Sequence, residues 1–146
     1  MKHHFVTILL LALVAYIAAP KIMSIIQGPA PTPGMFEDNY TIEQATLQSD
    51  STGKPMLVLV TADWCPPCQA LKKGALADAT VTQWVSENMI PVYLEDTANP
   101  DQIQLLPIRS FPTTFVINDG QILGQFSGNQ SATKFLTKIQ ALSNQS

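Results

Sequence analysis

Pro66 and Pro67 stand side by side between Cys65 and Cys68, a few residues behind the apolar run 55–61, PMLVLVT. A proline ring fixes φ and removes the backbone N–H. Two in succession therefore fit a helix only in its first turn, where N–H groups have no helical partner anyway. A short, continuous run rich in Val and Leu fits a strand buried on both faces. The junction reads as buried strand, a short loop through Asp63 and Trp64, and a helix beginning at Cys65.

Elements of both kinds alternate along the rest of the chain. Thr41 to Ser49 reads as a helix capped by Thr41 and stopped by Asp50-Ser51-Thr52-Gly53. Ala70 and Leu71 continue the helix that starts at Cys65 until Gly74 interrupts it. Asp78 caps the next stretch, where Val81, Trp84, Val85 and Met89 recur on one face, and Ile90 to Leu94 returns to strand. A short helical piece spans Gln102 to Leu106, and Thr113 to Ile117 is β-branched and aromatic, hence a strand. Asn118-Asp119-Gly120 turns it into a hairpin with Gln121 to Ser127. Ser131 caps a last helix with Ala132, Phe135, Leu136, Ile139 and Leu142 in one stripe. The order α, β, α, α, β, α, β, β, α describes an α/β fold, a central mixed sheet between helices.

The first 36 residues read differently. Phe5 to Ala19 (FVTILLLALVAYIAA) carries no charge and no polar face, behind an n-region with Lys2. That is the pattern of a secretory signal or, if the helix continues through Pro20 and Lys21 to Ile26, of an uncleaved anchor with Lys21 snorkelling to the interface. Residues 1–26 are thus expected as signal-anchor or signal peptide, with the domain outside and His3 and His4 left behind on the opposite side. Residues 27–36, with Pro at 29, 31 and 33, read as an extended spacer, and 37–146 as the folded domain. Beyond residue 36 six basic residues face eleven acidic ones, so no basic field exists to hold nucleic acid. Two Cys, with both His at the extreme N-terminus, do not assemble a four-ligand zinc site in the domain.

A C-x-x-C at a strand-to-helix junction puts the first sulfur at a helix N-terminus, where free N–H groups and the dipole favour thiolate. The second lies one turn further in, a spacing suited to thiol-disulfide exchange. A stapling disulfide is the plain alternative, but it closes too short a loop to restrict the unfolded chain much. Pro66 and Pro67 have no N–H to offer the sulfur, which argues for a less stabilised thiolate and a more reducing site.

These residues carry a resemblance. The domain resembles thioredoxin, and Gly53-Lys54-Pro55, the strand, and Ala62-Asp63-Trp64-Cys65 are similar to the C-terminal periplasmic domain of the membrane disulfide reductases of the DsbD type. Phe111-Pro112-Thr113 matches the family's cis-proline motif, and Asp119-Gly120 and Gly128 its later hairpin and glycine. The resemblance implies a thioredoxin-like fold with Cys65 as nucleophile and Cys68 as resolving cysteine. It implies that Trp64, Pro66, Pro67, Phe111 and Pro112 line the place where a protein substrate docks. It further implies an extracytoplasmic oxidoreductase, leaning reductase, that works without bound cofactor or metal. The partners expected are protein thiols and disulfides and a membrane or periplasmic electron donor, on the periplasmic side of the inner membrane, or free in the periplasm if the signal is cleaved. A non-catalytic module that holds a client in the Phe111-Pro112 groove is the alternative.

One departure from the family stands out. The buried Asp six residues before the first Cys, a candidate proton acceptor, is Leu59 here. Glu95 or Asp96, at the end of the neighbouring strand, is a candidate substitute, Glu95 being the one named for the relay; the favoured reading is that both are plain solvated strand-end acids. Asp63 reads as a surface loop residue, Lys72-Lys73 as a solvated helix face, and Trp84 as core.

Overall fold

The computed structural model describes residues 2–26 and 28–145, with side chains from Val6 to Ala19 and from Gly28 onward. Helix α1, Lys2–Ile26, carries the apolar N-terminal run, and Val6, Leu9, Leu13 and Ile17 on it are all more than half exposed. No helix among the described residues is long and apolar enough to cross a membrane. The side chains of Lys2, His3, His4 and Lys21, which flank the expected signal or anchor, lie outside the described residues.

The domain follows the expected order. Helix α2 (Ile42–Thr52) starts at a capping box in which Thr41 Oγ1 accepts from the Gln44 N–H at 3.2 Å and Gln44 Oε1 accepts from the Thr41 N–H at 3.0 Å. It runs three residues past the expected stop at Ser49. Ser51 and Thr52 hydroxyls donate back to the Gln48 carbonyl, so these turn-forming residues are satisfied inside the helix, and Gly53 closes it at φ 70°. Next come β1 (Met56–Thr61), α3 (Pro66–Lys73), a 3-10 turn (Ala75–Ala77) and α4 (Ala79–Asn88). Asp78 caps α4 by accepting from the Thr80 and Val81 N–H groups. Then follow β2 (Ile90–Glu95), α5 (Pro100–Ile103), β3 (Thr113–Asn118), β4 (Gln121–Ser127) and α6 (Ala132–Ser143). Helix α5 begins earlier than expected because Pro100 occupies its first turn. Positive φ at Asp119 and Gly120 gives the β3–β4 hairpin its two-residue turn.

The strands form one mixed sheet in the order β2-β1-β3-β4, with β1 parallel to β2 and the other pairs antiparallel. Every residue of β1 is buried, and its alternation feeds two cores. Leu57 and Leu59 face a cluster with Leu71, Val85, Phe135 and Ile139 from α3, α4 and α6. Met56, Val58 and Val60 face Ala45 of α2, Val92, Leu94 and Phe115. This is an α/β/α sandwich with a mixed four-stranded centre. Trp84 packs partly buried against the first cluster, as its stripe implies.

Of the expected spacer, residues 28–36 do not stand off from the domain. Ala30, Pro33, Met35 and Phe36 are buried, Gly34–Phe36 forms a 3-10 turn, and the Phe36 ring lies 5.5 Å from that of Tyr93 on β2. Prolines suit an extended backbone but say nothing of what that backbone lies against. Here the apolar side chains between them find the edge of the first core, and Phe36 alone gains about 1.5–3 kcal/mol from burial. The folded unit therefore takes in this strap.

Candidate functional site

Cys65 caps α3 with an extended backbone, φ −91° and ψ 111°, and Pro66 and Pro67 fill the first two helical positions. Its Sγ accepts from the Cys68 N–H at 3.3 Å, and its carbonyl accepts from the N–H groups of Cys68 and Gln69. Cys65 and Cys68 form a disulfide with Cα atoms 5.2 Å apart. Both sulfurs belong to a small buried cluster with Ala62, against which Phe111 packs. Around them the surface opens: Pro66 and Pro67 are exposed, and Trp64 is 67% exposed.

The sheet delivers the second half of the site. Strand β3 pairs with β1 in a register that sets Thr113 opposite Val60, so the Phe111–Pro112 peptide, which is cis, precedes the point where β1 ends. The Pro112 carbonyl accepts from the Gly128 N–H at 2.9 Å. Phe111 meets Trp64 edge to face at 5.8 Å. Trp64 is held at its other end, where Nε1 donates to Asp96 Oδ2 at 2.9 Å. Cys65, Cys68, Trp64, Pro66, Pro67, Phe111 and Pro112, nominated from sequence, thus share one end of the sheet.

The acids behave differently from expectation. Leu59 is fully buried in the first core among apolar residues. Glu95 is the hub of the loop after β2: it accepts from the Asp63 N–H at 3.3 Å, from the Thr97 and Ala98 N–H groups at 3.0 Å each, and from the Thr97 hydroxyl. Burial alone would push its pKa up, but hydrogen bonds from Thr97, Asp96 and the two backbone groups of Ala98 and Asp63 bring it down to about 2. A carboxylate that takes up a proton only near pH 2 does not accept one from a thiol in the neutral range. So low a pKa weighs against the relay expected at Glu95; what its carboxylate does is tie the loop after β2 to the loop before Cys65. Asp96 keeps one buried oxygen, Oδ1, without a partner, as does the hydroxyl of Thr61.

Sequence reasoning missed Lys72. It is not a solvated lysine but 4% exposed, paired with Asp63 Oδ1 at 2.8 Å and donating to the Ala30 carbonyl at 3.4 Å. The signal was present, since residues 68, 71 and 72 stand at i, i+3 and i+4 on one face of α3 and the first two are buried there. Asp63, read as a plain surface residue, is its half-exposed partner. Among the described residues no cluster of three His, Cys, Asp or Glu is placed to hold a metal ion.

With this geometry in hand, known proteins supply the comparison. The chain is 29% identical over 104 residues to Bloodstream-specific protein 2 of Trypanosoma brucei brucei, covering 70% of this chain and 20% of that protein. It is 31% identical over 86 residues to thiol:disulfide interchange protein DsbD 1 of Pseudomonas aeruginosa, covering 57% of this chain and 15% of that protein. The chain therefore spans at most a fifth of the length of these curated relatives. Among solved structures, the oxidised C-terminal domain of DsbD from Neisseria meningitidis is similar with 25% identity and a TM-score of 0.58, over 66% of this chain and 88% of that one. A thioredoxin from Thermus thermophilus, at 17% identity, shares the fold with a TM-score of 0.62 over 70% of this chain and 84% of its own. Residues 42–143 match the family described as a thioredoxin-like domain. That span runs from α2 to the end of α6 and takes in both the cysteine pair and Pro112, so the chain belongs to the thioredoxin-like family.

Proposed function

We propose that the domain is a thiol-disulfide oxidoreductase that exchanges two electrons with protein dithiols and disulfides. The observation that carries the reading is the Cys65–Cys68 disulfide at the head of α3, flanked by the exposed Trp64 and by Phe111-Pro112. In the reducing direction the Cys65 thiolate attacks a client disulfide. A bond forms between Cys65 and one client sulfur, and the other client sulfur leaves and is protonated. Cys68 then loses its proton and attacks Cys65 Sγ, the mixed disulfide breaks, and the second client sulfur departs as a thiol. The client gains two electrons and two protons, and Cys65–Cys68 becomes a disulfide that an upstream dithiol must reduce again. Trp64, Pro66, Pro67, Phe111 and Pro112 form the face on which an extended client segment lies.

The donors available to Cys65 support the reducing direction. A thiolate stabilised by few N–H groups favours the reduced form less, which lowers the reduction potential. Among the described residues one backbone N–H, that of Cys68, reaches Cys65 Sγ. We place the domain on the periplasmic side of an inner membrane and take residues 1–26 as its anchor, although the described part of α1 by itself falls short of a membrane span. Support comes from a helix that leaves apolar side chains exposed all round.

Insulin reduction by the reduced protein tests the reaction, since a module that only held clients in the groove would not turn over. Cys68→Ser should accumulate mixed disulfides with clients and Cys65→Ser should not; trapping by the wrong variant removes the assignment of roles. Retention of full-length protein in carbonate-washed membranes tests the anchor, whereas a shorter soluble form would mean that the segment is a cleaved signal.

A further inference from the structure

A lysine ammonium is strongly hydrated, and burying it is unfavourable unless its N–H groups find partners. Lys72 is buried on α3 one turn after Cys68, and its Nζ reaches Asp63 Oδ1 at 2.8 Å and the Ala30 carbonyl at 3.4 Å, with the Tyr93 ring at 5.4 Å. Burial pulls its pKa down, but the hydrogen bonds with Asp63 and Tyr93 outweigh that and hold it above the ordinary lysine value. The charge persists. Asp63 lies two residues before Cys65, on a loop whose N–H is held by Glu95 and whose Asp63 carbonyl accepts from Gln69 Nε2 at 3.0 Å. One end of the ion pair is thus fixed on the active-site helix and the other on the loop that leads into the first cysteine.

We infer that Lys72 is a positioning residue for the thiol chemistry: by pairing with Asp63 it cancels the negative charge closest in the chain to Cys65 and so sets the ionisation of that thiol. Without Lys72 the Asp63 carboxylate would oppose a thiolate at Cys65; without the Asp63 charge the buried ammonium would favour one. The inference draws its meaning from the oxidoreductase reading. Other charges on the surrounding elements keep their places in either case. Glu95 ends β2 and Asp96 follows it, tied to the Asp63 N–H and the Trp64 indole respectively; Lys73 is exposed on α3, and Arg109 belongs to the segment before Phe111.

The test uses the full chain, reduced, with Cys68→Ser as background so that Cys65 titrates alone. Thiolate absorbance and the rate of iodoacetamide alkylation are followed against pH for Lys72→Met, Asp63→Asn and the double variant. A unit charge on the order of 10 Å away, at an effective dielectric between those of protein surface and water, moves a pKa by about half a unit. Asp63→Asn should therefore lower the Cys65 pKa by about that much, Lys72→Met should raise it by at least as much, and the double variant should lie between the two. Opposite signs are the signature, because both single variants weaken one and the same clamp and loosening alone would move the pKa the same way in each. Shifts of one sign, or none, overturn the inference. If thermal melts show that Lys72→Met does not fold, Asp63→Asn decides alone. It keeps an oxygen acceptor for Lys72, so an unchanged or raised pKa refutes the charge account. Opposite shifts in a protein that never reduces insulin would sink the oxidoreductase reading and leave the pair's role intact, while insulin reduction with shifts of one sign would do the reverse.

Discussion

Replacing Pro67 with Ala should make Cys65 more acidic, and the size of the effect follows from how α3 begins. A residue that caps a helix accepts, through its side chain, from the N–H at the second or third helical position. Pro67 fills the second and has no N–H; Cys68 fills the third and supplies the one backbone donor, at 3.3 Å. Pro67→Ala restores the missing donor, whereas Pro66→Ala restores one at the first position, which does not point at the cap. A hydrogen bond to a charged acceptor contributes about 1.5–3 kcal/mol, and about 1.4 kcal/mol equals one pKa unit. Sulfur is a weak acceptor and the existing bond is long, so the low end applies and the fall should be about one unit. For a thiol of pKa about 7, a fall of that size stabilises the reduced form at neutral pH by about 1 kcal/mol, or about 20 mV for a two-electron couple. The pH dependence of thiolate absorbance measures the first quantity and equilibration with glutathione the second. If Pro66→Ala lowered the pKa and Pro67→Ala did not, the capping argument would be wrong, and with it the reason for the reductive lean.

Phe36→Ala should destabilise the domain by about 3 kcal/mol or more, as for other buried aromatic truncations, because the ring is 2% exposed and packs on Tyr93. A loss below about 1 kcal/mol in a urea melt, the size expected at an exposed site, would mean that the strap is not part of the core. Glu95 has a folded-state pKa lowered from 4.5 to about 2, so it contributes stability that is present above pH 4.5 and lost as pH falls through 2. Glu95→Gln should accordingly flatten the fall of the urea midpoint across that window, and an unchanged slope would show that the carboxylate is not held as described.

Elements and caps were legible in the chain because they depend on residues a few positions apart. Thr41, Asp78 and Ser131 bond to N–H groups two or three residues on, Asp119-Gly120 adopts the backbone its two residues favour, and the adjacent prolines restrict α3 to start where it does. Even the misplaced end of α2 is a local matter, since Ser51 and Thr52 bond back to Gln48 where the turn reading let them break the helix. The cysteine pair was equally plain, as strand, loop and helix head are contiguous. What only the tertiary structure decided are meetings of residues far apart in sequence. Lys72 reaches Ala30 across 42 positions and Trp64 reaches Asp96 across 32; helical spacing puts Lys72 on the buried face of α3 but does not say what that face meets. A lysine after a buried leucine, or prolines ahead of a domain, have the same composition whether they face water or protein. Burial, ion pairing and the lowered pKa of Glu95 arise when the sheet brings the ends of β1 and β2 and the strap to one side of α3. The free energy that fixes them is that of desolvation and close packing, and it depends on which surfaces meet.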